Sequence, residues 1–225
     1  MDNKTIITIN ADSGGEFANK IAETRAGARI ITKGKIDTAS FMRMILTDKS
    51  LTGGNFLSHI AIFENAITSA RFILTDAALN IAPDAEQKAK ILRNAIAAHE
   101  KLFARAPRIS ILTAAGRENP KIKSSVDGAA LIREFDGDYD IELDQLDTAL
   151  SPAARAAKSA PPRVADIVLA PDLDTGNAIW KTLTALAGGW TVAGLVVGGP
   201  EIIALNSRSD SPESRAKTME YANRL

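Results

Sequence analysis

Short apolar runs rich in β-branched residues alternate along the chain with longer stretches in which apolar residues recur every three or four positions. The first pattern predicts buried strands, and the second predicts amphipathic helices. Strands are predicted over residues 5–10, 28–32, 59–64, 71–75, 108–113, 140–143, 165–170, 193–198 and 202–205. Helices are predicted over residues 16–26, 38–47, 85–103, 125–134, 152–159, 177–187 and 213–223. This rhythm predicts an α/β fold with a largely parallel sheet, whose post-strand loops should gather at one edge.

The junction between the last predicted strand and the last predicted helix reads IIALNSRSDSPESR. Ser211 is a favourable N-cap, Pro212 suits the first helical position, and Glu213 suits the positive end of the helix dipole. Free backbone N–H groups at a helix N-terminus attract anions, and the planar fork of Arg208 matches phosphate. The junction therefore predicts an anion site. The alternative is an ordinary strand–turn–helix connection with solvated charges.

Composition narrows the function classes. The 225 residues contain 27 basic and 27 acidic side chains, so no broad positive surface for nucleic acid is expected. Cysteine is absent, which excludes disulfides, thiolate metal ligands and a cysteine nucleophile. The N-terminal stretch does not resemble a signal peptide, and no apolar run is long enough to span a bilayer. We therefore expect a cytoplasmic protein that binds neither membranes nor nucleic acid.

The loop TKGKIDT follows the second predicted strand. Its lysines and glycine, Lys33 and Gly34 among them, could approach a phosphate closely, and Thr38 would cap the helix that carries Arg43. The alternative is a charged surface loop, because such loops are common. The loop matches neither the P-loop pattern nor the dinucleotide-binding glycine pattern.

The stretch TGGNFLSH ends with Ser58 and His59 at the start of a predicted strand. A histidine can act as a general base near neutral pH. The alternative, a structural histidine with one hydrogen bond, is favoured because no second chemical group is adjacent in sequence. His99 lies within a long predicted helix and is interpreted as structural.

Three further polar loops follow predicted strands. One begins at Asp76 and continues into NIAPD, a second is NPKIK, and the third is PDLDTGNAIWK. Each could be helix-capping chemistry, but several such loops at one sheet edge would form a binding site. The candidate ligand-contacting residues in these loops are Asp76, Asn119, Lys121, Asp172, Thr175, Gly176 and Asn177.

These stretches together resemble the phosphate acetyl- and butyryltransferase family, and the butyryl branch in particular. The matching stretches, in the family's order, are KGKIDTASFMR, LSHIAIFE, FILTDAALNIAPDAEQK, NPKIKSSVDGAAL, ADIVLAPDLDTGNAIWKTL, AGLVVGG and SRSDSPES. They cover the chain from about residue 28 to its end. The combination of the TDAALNIAPD, PDLDTGN and SRSDS blocks is the specific part of the match.

The resemblance implies transfer of a short-chain acyl group between CoA and inorganic phosphate, with CoA as a substrate and with no cofactor or metal. By motif match, Ser207 and Arg208 stand at the family's serine–arginine pair, and Arg43 stands near an arginine that holds CoA or phosphate. The family's acidic base follows the pair by a few residues. Ser214 occupies that spacing here, with Asp210 and Glu213 nearby, so the base is left open.

The resemblance also implies a two-domain fold like that of the isocitrate and isopropylmalate dehydrogenases, with the active site in the interdomain cleft and a homodimer as the usual assembly. We expect a shortened first domain formed by residues 1–84 with 205–225, and a second domain formed by residues 85–204. Two alternatives stay open. One is a non-catalytic relative that binds CoA or a phosphorylated metabolite, and the other is a dehydrogenase using Asp76, Asp172 and Asp174 as metal ligands.

Overall fold

The alternating apolar pattern folds into one nine-stranded sheet in the computed structural model, which describes residues 5–9, 29–34, 36–158, 163–207 and 210–225. The strands are β1 (Thr5–Ile9), β2 (Arg29–Lys33), β3 (Ser58–Asn65), β4 (Arg71–Thr75), β5 (Arg108–Leu112), β6 (Asp140–Asp144), β7 (Ile167–Leu169), β8 (Trp190–Val197) and β9 (Ile202–Ala204). The helices are α1 (Thr38–Thr47), α2 (Lys49–Thr52), α3 (Ala85–Phe103), α4 (Lys123–Glu134), α5 (Leu146–Leu150), α6 (Pro152–Ala157), α7 (Leu173–Ala185) and α8 (Pro212–Arg224). The predicted helix over 16–26 lies outside the described residues.

The strand order is β1-β2-β9-β8-β3-β4-β7-β5-β6, and five of the eight pairings are parallel. The predicted α/β class with a mostly parallel sheet is confirmed. The expectation that all post-strand loops share one edge is wrong. The antiparallel pairings β9–β8, β8–β3 and β3–β4 reverse the chain direction, so the loops after β2 and β9 lie at one edge and those after β4, β5 and β7 at the other.

Side-chain alternation within the strands divides the core between the two faces of the sheet. In β3, Ile60 and Ile62 belong to the cluster covered by α3, α4 and α8, whereas Ala61 and Phe63 belong to the cluster covered by α7. A third cluster, under α1, lies on the same face as the α7 cluster, since Val196 and Val192 of β8 contribute to one each. The α1 and α7 units are therefore neighbours on one face of the continuous sheet.

Capping side chains explain where the helices begin. Asp84 and Gln87 form a reciprocal capping box at α3, and Ser211 caps α8 with Pro212 at the first position, as the sequence suggested. The predicted cap at Thr38 is wrong, because Asp37 accepts the hydrogen bond from the Ser40 N–H at 2.9 Å. α7 begins at Leu173 rather than at 177, so Gly176 and Asn177 lie inside the helix and not in a turn before it.

Strands from both predicted domains pair within the same sheet, and the proposed division at residues 84 and 205 stays a prediction. None of the helices in the described part of the chain is both long and apolar enough to cross a membrane.

Candidate active site

A cavity of about 560 Å³ opens at the carboxyl ends of the parallel strands β1, β2 and β9. Carboxyl ends of parallel strands are the usual ligand position in open α/β sheets. Lys33 is the last residue of β2, Gly34 follows it in the loop, and Ser207 comes from the loop after β9. The charged residues described at its wall are Lys33 and Arg215, both cations, so the cavity suits an anionic ligand.

The loop after β9 is held in shape by its own side chains. The Ser207 N–H donates to the Asp210 carboxylate at 2.6 Å. The Asn206 amide donates to Thr218 Oγ1 at 2.8 Å, which ties the loop to α8. Arg208, the cation predicted to hold phosphate, lies outside the described residues, so its position stays a prediction.

Lys181 brings a further cation to this loop from the opposite edge of the sheet. Helix α7 is capped at Asp172, and nine residues at about 1.5 Å per residue carry Lys181 about 13 Å along the sheet face. Its Nζ donates to Ser207 Oγ at 3.2 Å. Lys181 ends the PDLDTGNAIWK block but is not among the residues predicted for the site. Its distance along α7 from the cap is the signal that could have indicated it.

Asp210 is the carboxylate placed beside Ser207. Partial burial raises the pKa of Asp210, and this effect exceeds the opposing influence of the Ser207 N–H, Asn206, Lys181 and Arg215. A raised pKa makes a carboxylate a stronger proton acceptor. The loop after β9 therefore brings a hydroxyl, a cation and a carboxylate of raised pKa together, and of these three residues Ser207 lines the cavity.

An aromatic stack lies next to Lys181 on the sheet face. The His59 imidazole stacks on the Trp180 indole, with ring centroids 5.1 Å apart and planes 13° from parallel. Burial lowers the pKa of His59 to about 4, although the charge of Asp76 acts in the opposite direction. Within the described part of the chain, neither imidazole nitrogen nor the indole nitrogen has a hydrogen-bond partner. Unpaired buried polar atoms of this kind typically cost about 1–3 kcal/mol each.

Gly194 in β8 lets the residue that follows β9 approach β8 closely. A Cβ at this position would collide with the Leu205 carbonyl oxygen and would lie 3.3 Å from His59 Nε2. The Leu205 N–H donates to the Gly194 carbonyl at 2.9 Å. The absence of a side chain at Gly194 therefore allows the backbone at Leu205, two residues before Ser207, to lie against β8.

Comparisons with known proteins show what the chain as a whole is similar to. Residues 21–222 match the family model for phosphate acetyl/butaryl transferase. The chain is 32% identical to the phosphate butyryltransferase of Clostridium acetobutylicum, over 99% of this chain and 77% of that protein. It resembles the crystal structure of a branched-chain phosphotransacylase from Enterococcus faecalis V583, with a TM-score of 0.77 and 34% identity over 94% of this chain and 78% of that one.

The chain belongs to the phosphate acetyl/butaryl transferase family. The resemblance found in the sequence is thereby confirmed. A 4-hydroxythreonine-4-phosphate dehydrogenase from Klebsiella pneumoniae matches at a TM-score of 0.56 and 12% identity, covering 99% of this chain and 83% of that one. That likeness concerns the fold alone, and the finer analogy to isocitrate and isopropylmalate dehydrogenases stays a prediction.

The second candidate for the acidic base, Glu213, and its neighbour Ser214 differ from Asp210 in their surroundings. Glu213 is exposed, its pKa is lowered chiefly by backbone hydrogen bonding at the start of α8, and it faces a different cavity. Ser214, at the spacing of the family's base, is buried and accepts a hydrogen bond from the Val192 N–H at 3.0 Å. Ser214 therefore ties α8 to β8.

Asp76, Ser58 and His59 form a buried junction at the other edge of the sheet. The Asp76 carboxylate accepts the backbone N–H groups of His59, Ala78 and Leu79 at 2.8–3.0 Å, and the Asn80 amide at 2.7 Å. Ser58 Oγ accepts from the Asn94 amide at 3.0 Å. The polar groups of this loop are therefore used in organising the loop itself.

The PDLDTGN block also has a local structural role. Asp172 caps α7 by accepting the Thr175 N–H at 2.8 Å, and this bond lowers the pKa of Asp172. Gly176 permits close packing, because a Cβ there would lie 2.5 Å from the Asp76 carbonyl oxygen. The Asn177 amide donates to the Ala77 carbonyl at 3.3 Å. The block thus clamps α7 to the loop after β4.

The remaining predicted residues lie away from the cavity wall. Asn119 Oδ1 accepts the Lys121 N–H at 3.0 Å in the loop after β5, at the edge opposite Ser207. Thr38 and Arg43 lie on the exposed side of α1. Among the residues that the structure describes, no cluster of three histidine or acidic side chains could hold a metal ion.

A larger cavity, of about 930 Å³, lies elsewhere and has a different charge balance. Its charged wall residues are three cations and three anions: Arg71, Arg105, Lys217, Glu64, Glu213 and Glu220. Lys217 pairs with Glu64 at 3.0 Å, and Arg71 with the same carboxylate at 3.9 Å. The described wall of this larger cavity therefore carries charges of both signs, several of them paired with one another.

Proposed function

We propose that this family member transfers a short-chain acyl group between CoA and inorganic phosphate, giving acyl phosphate and free CoA from acyl-CoA and phosphate. The observation that carries the proposal is the contact of Lys181 Nζ with Ser207 Oγ. Ser207 also donates its backbone N–H to Asp210 and lines a cavity whose described charged residues are Lys33 and Arg215. Phosphate, acyl phosphate and the CoA diphosphate are all anions, and cations with a hydroxyl donor suit them.

The chemistry is simplest to follow from acyl phosphate and CoA. A thiol has a pKa of about 8.5, so it must lose its proton before it attacks. Asp210 takes that proton, and the thiolate adds to the acyl carbonyl carbon. The resulting oxyanion is stabilised by the Ser207 hydroxyl and the Lys181 ammonium. The carbon–oxygen bond to phosphate then breaks, Asp210 returns its proton to the leaving phosphate, which departs as hydrogen phosphate, and the carbonyl re-forms as a thioester.

The leaving phosphate needs its own cations. Lys33 and Arg215 at the cavity wall suit this role, and Arg208 follows Ser207 directly in the chain. The N-terminus of the 13-residue helix α8 adds a favourable dipole. In this scheme most of the rate acceleration comes from holding the two substrates in a reactive orientation, and no covalent enzyme intermediate is required.

The test is release of free CoA from a panel of acyl-CoAs in the presence of inorganic phosphate, followed with a thiol reagent. We expect release with acetyl- or butyryl-CoA that depends on phosphate. Lys181→Met should lower kcat/KM by about 10²–10³-fold, the usual loss of one transition-state hydrogen bond. Lys90→Met is the matched control, because Lys90 is an exposed helix lysine paired with Glu86.

Folded protein that releases no CoA with any acyl-CoA would refute the proposed activity. Tight CoA binding by calorimetry without turnover would instead favour the non-catalytic relative. Turnover that is unchanged in Lys181→Met would remove the lysine from the mechanism while leaving the activity in place.

We also propose a homodimer, as the family resemblance implies. Sedimentation equilibrium would give a mass near twice the 23.9 kDa of one chain, and a mass near that of one chain would contradict it.

A further inference from the structure

Lys181 is exposed, yet its side chain follows a defined path. It is on α7 directly after Trp180, whose side chain is buried among the apolar residues of the sheet face. Its Nζ lies 5.5 Å from the Trp180 ring centroid and at the same time donates to Ser207 Oγ. A long flexible lysine loses much rotamer freedom in such a position, so something must hold it there.

The indole is itself supported from the buried side. The His59 ring lies against it nearly in parallel, and His59 is anchored by its backbone N–H to Asp76 at 2.9 Å. Three ring nitrogens of this stack lack partners among the described residues, so phenylalanine or leucine would fill the space without the polar penalty. Stability alone therefore does not account for this pair of rings.

We propose that Trp180 is a positioning residue, which holds the Lys181 ammonium against Ser207 by cation–π attraction while His59 fixes the indole plane. Tryptophan is the strongest of the aromatic side chains in attracting a cation within about 6 Å of its ring centroid. The inference rests on the proposed function for its catalytic consequence, but the positioning itself can be measured without turnover.

The chain provides a matched control in its other tryptophan. Trp190 packs edge-on against Phe63 and Phe72 in the same apolar cluster. The variants to compare are Trp180→Phe, Trp180→Leu, Trp190→Phe and Trp190→Leu. Circular dichroism and thermal melting establish which of these variants fold. If a leucine variant does not fold, the two phenylalanine variants are compared instead.

The first measurement is the rate at which trinitrobenzenesulfonate modifies Lys181, followed by peptide mass spectrometry. The stabilisation by a cation–π contact corresponds to a factor of about 2 to 30 in an equilibrium between the held and the free side chain. The modification rate of Lys181 should therefore rise by about that factor in Trp180→Leu, and by less in Trp180→Phe. The Trp190 variants should leave the Lys181 rate unchanged. Equal Lys181 rates in wild type and both Trp180 variants would overturn the inference.

The second measurement is acyl transfer. If Trp180 positions the Lys181 ammonium, kcat should be highest in wild type, lower in Trp180→Phe and lowest in Trp180→Leu. The KM for acyl-CoA should stay nearly constant. Equal losses in the Trp180 and Trp190 variants would reduce Trp180 to a packing role and overturn the inference. If wild type shows no turnover, the proposed function fails, and the labelling result still decides the positioning.

Discussion

The buried imidazole of His59 makes a quantitative prediction about stability and pH. Its pKa is about 4 in the folded protein, against an ordinary value of 6.5, because burial penalises the charged ring. The unfolded chain therefore binds this proton more tightly than the folded chain does. The contribution of His59 to the free energy of unfolding is complete above pH 6.5 and is lost as the pH falls toward 4.

The size of the effect follows from the two pKa values. Their difference, from 6.5 to about 4, multiplied by 1.36 kcal/mol, gives a total of about 3 kcal/mol. Between pH 7 and pH 5 the loss from this one group amounts to about 2 kcal/mol. That is a large part of the stability of an ordinary domain, which is about 5–15 kcal/mol.

Urea unfolding at pH 7 and pH 5 measures this loss directly. His59→Phe keeps a flat ring on Trp180 but removes the titrating group, so its stability should fall by about 2 kcal/mol less over the same interval. His99→Phe is the comparison variant: His99, the second histidine of the chain, lies in α3, and burial lowers its pKa too, so this variant measures the separate contribution of His99 to the pH dependence. Comparing each variant with itself at the two pH values cancels any packing cost of the substitution. Comparing that change with the wild-type change then cancels the contribution of Asp210, whose raised pKa acts in the opposite direction. An undiminished pH dependence in His59→Phe would refute the reasoning.

Three further predictions concern the loop after β9. Asp210→Asn should lower kcat by about 10²–10⁴-fold and abolish the acidic limb of the rate profile, because the pKa of Asp210 is raised; a retained limb would exclude it as the base. Ser214→Ala should lower the free energy of unfolding, measured with denaturant, by about 1–3 kcal/mol, because it leaves the buried Val192 N–H unpaired. Lost activity at unchanged stability would contradict a structural role for Ser214. Gly194→Ala should push the Leu205 carbonyl away and displace Ser207 with it. We expect kcat to fall by at least about 10-fold, since a 1 Å displacement of a catalytic group can cost about 100-fold. An unchanged kcat in folded protein would show that the close approach of Leu205 to Gly194 is not required for activity.

The family and most of the elements could be predicted from the sequence. Helices over 38–47 and 85–103 and the strand over 71–75 have the predicted bounds, because strong periodicity and clear caps such as Asp84 define them locally. The helix α5 over Leu146–Leu150 was missed because five residues carry too little periodicity. The start of α7 was misplaced because Gly176 was interpreted as a turn residue rather than as a packing contact.

The candidate site was predicted only in part. Lys33, Gly34 and Ser207 were predicted and meet at one cavity, because β2 and β9 are parallel neighbours. Lys181 was not predicted, since its contact with Ser207 joins residues 26 positions apart. The loops after β4, β5 and β7 were expected at the same edge, but antiparallel pairing placed them at the other.

The sequence by itself determined the local structure and the inventory of chemical groups: strand and helix periods, N-caps, the absence of thiols, and a serine–arginine loop before a capped helix. These depend on neighbours within a few residues. Only the tertiary structure decided which of those groups meet, because strand direction depends on pairings between distant segments. The reversal at β8 and β3, the close approach at Gly194 and the length of α7 together bring Lys181 to Ser207.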